Sequence, residues 1–96
     1  MIKVSIKKDE ITIKGHALYD LYGKDIVCAS TSSIVITSIN AMKRIDSDSI
    51  EFEENDGVLL RVLKHNEIID KLIENMIDLL SDLEKQYPKY IEIRRC

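Results

Sequence analysis

The sequence predicts an α+β fold in the order β-β-α-β-β-α-β, with two helices packed on a sheet of about five strands. Three observations carry that prediction. Short segments alternate apolar and polar residues with period two. Two stretches of about twenty residues repeat their apolar positions at helical spacing. Asp-Gly and other turn residues separate the segments.

The elements follow in order. Ile2, Val4 and Ile6 alternate with Lys3, Ser5 and Lys7, and Ile11 and Ile13 alternate with Thr12 and Lys14. With Asp9-Glu10 between them, the two runs read as a β-hairpin with one buried face and one wet, basic face. Gly15 ends the hairpin, and Ala17 to Lys24 has no clean period and reads as a loop. The stretch from Ile26 to Ile45 is rich in Ser, Thr and Ile, which are mediocre helix formers. Its period decides for a helix. Positions 28, 32, 35, 39 and 42 form one stripe, and 27, 31, 34, 38, 41 and 45 form the adjacent one. Both stripes are apolar or small, so the helix is expected to be well buried, with Asp25 as its N-cap. Ile50 to Glu53 and Val58 to Val62 flank Asn55-Asp56-Gly57, a second hairpin. Asn66 caps an amphipathic helix that runs to about Gln86, and Pro88 stops it. Tyr90 to Arg94 alternates again as a last strand. The 96 residues suit one domain, 1–96, with no repeat, linker or low-complexity tract.

Composition narrows the function. Apolar residues make up 45% and charged residues 32%, as in globular proteins generally. No apolar run approaches the roughly 20 residues of a membrane span, and nothing reads as a signal peptide, so a cytoplasmic protein with no membrane partner is expected. The net charge of −3 speaks against direct nucleic-acid binding. Cys28, Cys96, His16 and His65 have no zinc-ligand spacing, so neither a metal nor a cofactor is expected. A single Cys28–Cys96 bridge would not form a disulfide framework.

The chemistry concentrates in Gly15-His16-Ala17 and Gly23-Lys24-Asp25-Ile26-Val27-Cys28-Ala29. His16 follows a strand, and Cys28 falls in the first turn of a helix. The helix end carries partial positive charge and unpaired amides, which favour a thiolate and suit an oxyanion. A nearby imidazole can take the thiol proton. Spacing alone leaves the ordinary readings open: a small buried cysteine and a structural histidine.

The segment as a whole is more specific. Gly-His-Ala, then Gly-x-Asp-Ile-Val-Cys-Ala with Ser32 four residues past the cysteine, closely resembles the ribosomal-processing cysteine protease family (Prp), and the likeness extends over nearly the whole chain. The resemblance implies a homodimeric cysteine peptidase with a catalytic His16 and Cys28. Its implied substrate is the N-terminal extension of a large-subunit ribosomal protein, number twenty-seven in the bacterial series. That extension would otherwise project into the peptidyl-transferase region. Asp25 and Ser32 match motif positions. Asp25 has two open roles, capping the helix or orienting His16. Ser32 could hold the thiolate, line the pocket or simply be a small buried residue. Thr31 stands where many relatives are more apolar, on what reads as the helix flank. Gly15 and Gly23 would permit the turns at either end of the loop, and Tyr19 and Tyr22 would form a substrate lid. Cys96 and His65 are assigned no function. Two other classes compete. One is a non-enzymatic ribosome-associated binding module working through Lys3, Lys7 and Lys14. The other is a redox sensor at Cys28, ranked last because no resolving cysteine is near in sequence.

Overall fold

A computed structural model describes residues 1–21 and 23–96. The order is β1 (Ile2–Lys7), β2 (Glu10–Lys14), α1 (Ile26–Ile45), β3 (Ile50–Glu54), β4 (Val58–Val62), α2 (Glu67–Gln86) and β5 (Ile91–Arg95). The predicted order and both helices stand. The last strand begins at Ile91 because the Ile91 and Tyr90 amides still donate to the Tyr87 carbonyl, closing the turn after α2.

The sheet order is β3-β4-β2-β1-β5. β1 and β2 are antiparallel, as are β2 with β4 and β3 with β4, while β5 runs parallel to β1. Each helix is therefore a crossover: α1 carries the chain from β2 past β4 to β3, and α2 carries it from β4 past β2 and β1 to β5. The register stacks the apolar positions in rows across the sheet: Ile93, Val4, Ile13 and Val58 make one, and Ile11, Leu60 and Phe52 lie on the same face. The helices cover that face. Ile39, Met42, Ile69, Met76 and Leu80 join Val4, Leu60 and Ile91 in the core, all at most 2% exposed. The β5 edge is partly closed by Glu84, which accepts the Ile93 amide at 2.7 Å.

Three expectations change here. The outer face is mixed in charge rather than basic. Lys3 lies opposite Lys14 of β2 on one side but opposite Glu92 of β5 on the other, and Lys7 lies opposite Glu10, so carboxylates from neighbouring strands offset Lys3 and Lys7. Second, α1 buries a narrower stripe than the two read from the sequence: Val27, Thr31, Val35, Ser38, Ile39 and Met42. Ser32 lies beyond the edge of that stripe and is exposed, and so is Ile45 at the last turn. Thr31 is inside the stripe, not on the flank. Its hydroxyl donates to the Val27 carbonyl at 2.9 Å, and Ser38 does the same to Ile34 at 2.7 Å, so both polar groups are satisfied within the helix. Third, α1 is long and apolar enough by composition to cross a membrane. Counting uninterrupted apolar runs missed this because the interruptions are Ser, Thr and Asn rather than charges. Here the helix lies along the core and packs beside α2.

The β1–β2 turn is fixed from outside. Asp9 adopts a left-handed φ of 61°. Its carboxylate meets His65 Nε2 at 2.5 Å, while His65 Nδ1 meets Asp70 of α2 at 2.7 Å. The imidazole thus ties the hairpin tip to the start of α2. Hydrogen bonds to Asp70 and then Asp9 raise the His65 pKa above the ordinary 6.5, against a smaller opposing effect of desolvation. A raised pKa means the contribution is full below pH 6.5 and fades as the pH climbs through the raised value. The urea midpoints of the parent chain and His65→Gln should accordingly differ more at about pH 6 than at about pH 9. Equal gaps at the two pH values would show that the imidazolium bridge contributes nothing.

Candidate active site

The site is built where β2 hands the chain to α1. Gly15 ends β2 with a φ of +92°, and a side chain there would be driven into the Met1 carbonyl oxygen. Glycine is therefore required at that turn, both for its torsion and for the close approach of backbone. Gly23, at φ +85°, faces open space and serves for torsion alone. Next to Gly15, His16 is exposed, and Ala17 turns inward to 2% exposure. Leu18 then takes a φ of 56°, which leucine rarely adopts.

Cys28 sits in the first turn of α1, half-buried and unpaired, and Cys96 is also a free thiol. The Ala17 amide donates to Cys28 Sγ at 3.3 Å. This contact brings the peptide group joining His16 and Ala17 against the sulfur. The His16 side chain itself makes no hydrogen bond to Cys28 among the described residues.

Asp25 joins the two sides. One carboxylate oxygen accepts the Val27 and Cys28 amides, each at 3.0 Å. The other accepts the Tyr19 amide at 2.9 Å and the Asp20 amide at 3.4 Å. Desolvation pushes the Asp25 pKa up, but the four backbone donors outweigh it and hold the carboxyl below its ordinary range. Of the two roles left open by the sequence, Asp25 caps the helix and clasps the loop; its bonds go to backbone. The cap also changes the expected oxyanion site. The Val27 and Cys28 amides belong to Asp25, and the Ala29 amide donates to the Asp25 carbonyl at 3.0 Å. They are not free donors for a substrate oxygen.

Tyr19 packs on its own domain. Its ring meets Tyr87 edge-on at 5.4 Å and Tyr90 at 5.0 Å between centroids. Such pairs contribute about 0.5–1.5 kcal/mol each. Leu18 and Leu21 instead project outward, 78% and 71% exposed. Tyr22, expected in the lid, lies outside the described residues. Ser32, one turn past Cys28, is exposed, so the reading of a small buried serine fails. Sequence reasoning missed Tyr87 and Tyr90, although their places on either side of Pro88 put them at the end of α2. It also missed the Ala17 amide, since a main-chain donor leaves no signature of its own. Among the described residues, no group of His, Cys, Asp and Glu could hold a metal ion.

A half-buried free thiol in the first turn of a helix, accepting a main-chain N–H, suits a thiol nucleophile. The family profile for cysteine protease Prp matches residues 1–92. The chain belongs to the cysteine protease Prp family. It is 31% identical to the ribosomal processing cysteine protease Prp of Mycoplasma genitalium over 97% of this chain and 94% of that protein. It is 33% identical to the protein of that name from Mycoplasma pneumoniae, covering 95% and 91%. The crystal structure of the essential ribosomal processing protease Prp from S. aureus, in complex with a covalently linked product peptide, superposes with a TM-score of 0.94 at 25% identity and full coverage of both chains. This Prp family chain is thus a cysteine protease with the two-helix, five-strand Prp architecture.

The clasp makes a prediction that separates the two sides of Asp25. Asp25→Ala should lower the thermal midpoint and speed amide exchange at residues 17–21. Asp25→Ser should recover much of the midpoint, because serine still caps, yet leave the Tyr19 and Asp20 amides exchanging fast. Hydrogen exchange with parent-like protection of both amides in the Ser variant would reduce Asp25 to a cap.

Proposed function

We propose that this protein is the endopeptidase that removes the N-terminal extension of the large-subunit ribosomal protein numbered twenty-seven in bacteria, with Cys28 as nucleophile and His16 as base. The observation that supports the reading is the contact of the amide of Ala17, the residue after His16, with Cys28 Sγ in the first turn of α1. His16 takes the thiol proton. The sulfur attacks the scissile carbonyl carbon, a C–S bond forms, and the π pair moves onto oxygen. When the carbonyl re-forms, the C–N bond breaks and its pair leaves on nitrogen, which receives the proton from His16. Water then hydrolyses the thioester with His16 as base, releasing the acid and restoring the thiol.

Several features support the rest of the reading. In the segment Ala17 to Lys24, buried Ala17 is the fixed inner end and the residues beyond it act as a lid, with Tyr19 as its anchor on Tyr87 and Tyr90 and with Leu18 and Leu21 facing the peptide. Two free cysteines suit the reducing cytoplasm, where the substrate is made. The mixed outer face, with Glu92 beside Lys3 and Glu10 beside Lys7, favours a peptidase over a module that grips ribosomal RNA. We propose a homodimer as the working state, on the family resemblance.

Incubation with the extended ribosomal protein tests the reading. Cys28→Ala should abolish cleavage without unfolding the chain, Cys96→Ser should cleave at the parent rate, and His16→Ala should lose about 10²–10⁴-fold or more. Equal losses at the two cysteines, or near-parent turnover of His16→Ala, would sink it.

The lid has its own test. On Cys28→Ala, amide exchange across residues 18–21 should slow when an uncleaved extension peptide is added. Exchange that is already slow in the free chain, and unmoved by peptide, would mean a fixed loop.

A further inference from the structure

Attack by the thiolate places negative charge on the substrate carbonyl oxygen, and a protease needs donors waiting where that charge appears. The usual source at a nucleophile on a helix start is the row of unpaired amides in the first turn. In this chain the three amides of that row from Val27 to Ala29 are engaged. Val27 and Cys28 donate to one carboxylate oxygen of Asp25, and Ala29 donates to the Asp25 carbonyl. A donor that faces the reacting atom from outside the helix remains. The Ala17 amide lies 3.3 Å from Cys28 Sγ.

Its placement is rigid for reasons that do not involve the sulfur. The Ala17 side chain is buried, 2% exposed, so the residue is held by its own packing. On one side, Gly15 fits against the Met1 carbonyl as only glycine can. On the other, Leu18 turns the chain with a φ of 56°, although its side chain is 78% exposed and has little packing to hold it there. What holds that turn is the second carboxylate oxygen of Asp25, through the Tyr19 and Asp20 amides. A rare torsion maintained by neighbouring contacts is a mark of a functional position.

We infer that the main-chain amide of Ala17 is the oxyanion donor of this protease. The inference rests on the reading of Cys28 as nucleophile. In the resting site the amide donates to sulfur. As the C–S bond forms, charge leaves the sulfur and collects on the oxygen of the attacked carbon, an atom adjacent to that bond. The same N–H then needs only a small shift to reach a position about 3 Å from the oxygen. Asp25 is a positioning residue in this scheme: it engages the Val27 and Cys28 amides and orients the loop that brings the Ala17 amide to the sulfur.

The test changes one group. The chain can be assembled by ligation at Cys28 from a synthetic segment 1–27 with Ala17→lactic acid, which replaces the N–H by an ester oxygen, and the segment 28–96. Compared with the all-amide chain assembled the same way, kcat on an extension peptide should fall about 10²–10³-fold, with KM changed by less than about threefold. A peptide aldehyde, whose hemithioacetal oxygen mimics the oxyanion, should lose affinity by a factor similar to the loss in kcat. A merely structural amide would instead raise KM and leave the aldehyde and the substrate peptide weakened together. A second measurement needs no variant. In the ¹⁵N-labelled parent chain, the Ala17 amide proton should move downfield when the aldehyde adduct forms. An ester chain with parent-like kcat, or an Ala17 resonance unmoved by the adduct, would overturn the inference. A peptide bearing an electrophilic ketone separates the two levels of the argument. If it fails to label Cys28 in the all-amide chain, the nucleophile reading falls and the inference with it. If it labels Cys28 while the ester chain keeps parent-like turnover, only the inference falls.

Discussion

Asp25 bonds to backbone on both sides of the site, and the geometry around Cys28 depends on that division. One oxygen holds the Val27 and Cys28 amides and the other holds Tyr19 and Asp20. A neutral side chain could cap the helix, but it could not accept four donors in two directions. The carboxylate therefore fixes where α1 begins, how the loop returns to it and which peptide group faces the sulfur. The hydrogen bonds are charge-assisted, the stronger kind. The same four bonds keep Asp25 ionised by lowering its pKa, so the clasp and the charge that makes it support each other.

This arrangement settles a competition within the site. A negative charge at the N-cap is favourable to the helix dipole and unfavourable to a thiolate nearby. The structure meets the second effect with the Ala17 amide, aimed at the sulfur from outside the helix. That amide can face Cys28 because β2 ends at Gly15, where backbone approaches Met1 too closely for any side chain. The hairpin, the glycine turn and the cap are thus consecutive steps in one construction, and the parallel β1–β5 pairing holds its base.

Most of the fold could be read from the sequence because its local signals agree. The alternation of Ile2 to Ile6, the Asp56-Gly57 turn and the Asn66 cap each favour the element that formed. The sheet order could not be read, since nothing in the alternation of Ile91 to Arg95 says that its neighbour is β1 or that the two run parallel. The charge of the outer face failed for the same reason: Glu92 offsets Lys3 only once that pairing is known. Helical spacing placed Cys28 and Ser32 on one stripe, yet only Cys28 lies close enough to the packed face to be half-buried. The site's side chains were legible as a motif. Their connections were not, because those run through the amides of Ala17, Tyr19 and Asp20, and amides are common to every residue.

A chain of 96 residues has one core and modest stability to draw on. That limits how a protease of this size can hold a loop both accurately and reversibly. Burying the loop would bring more apolar contact, but it would cover Cys28. Here the inner end is buried at Ala17, the middle is pinned by Asp25 and Tyr19, and Leu18 and Leu21 stay in water. The precise part of the loop is the part that touches Cys28, and the exposed part carries Leu18 and Leu21. Apolar side chains left in solvent gain from burial when a partner arrives, roughly 25 cal/mol for each Å² covered. Under the proposed lid, substrate would close the exposed half of the loop without disturbing the half held against Cys28.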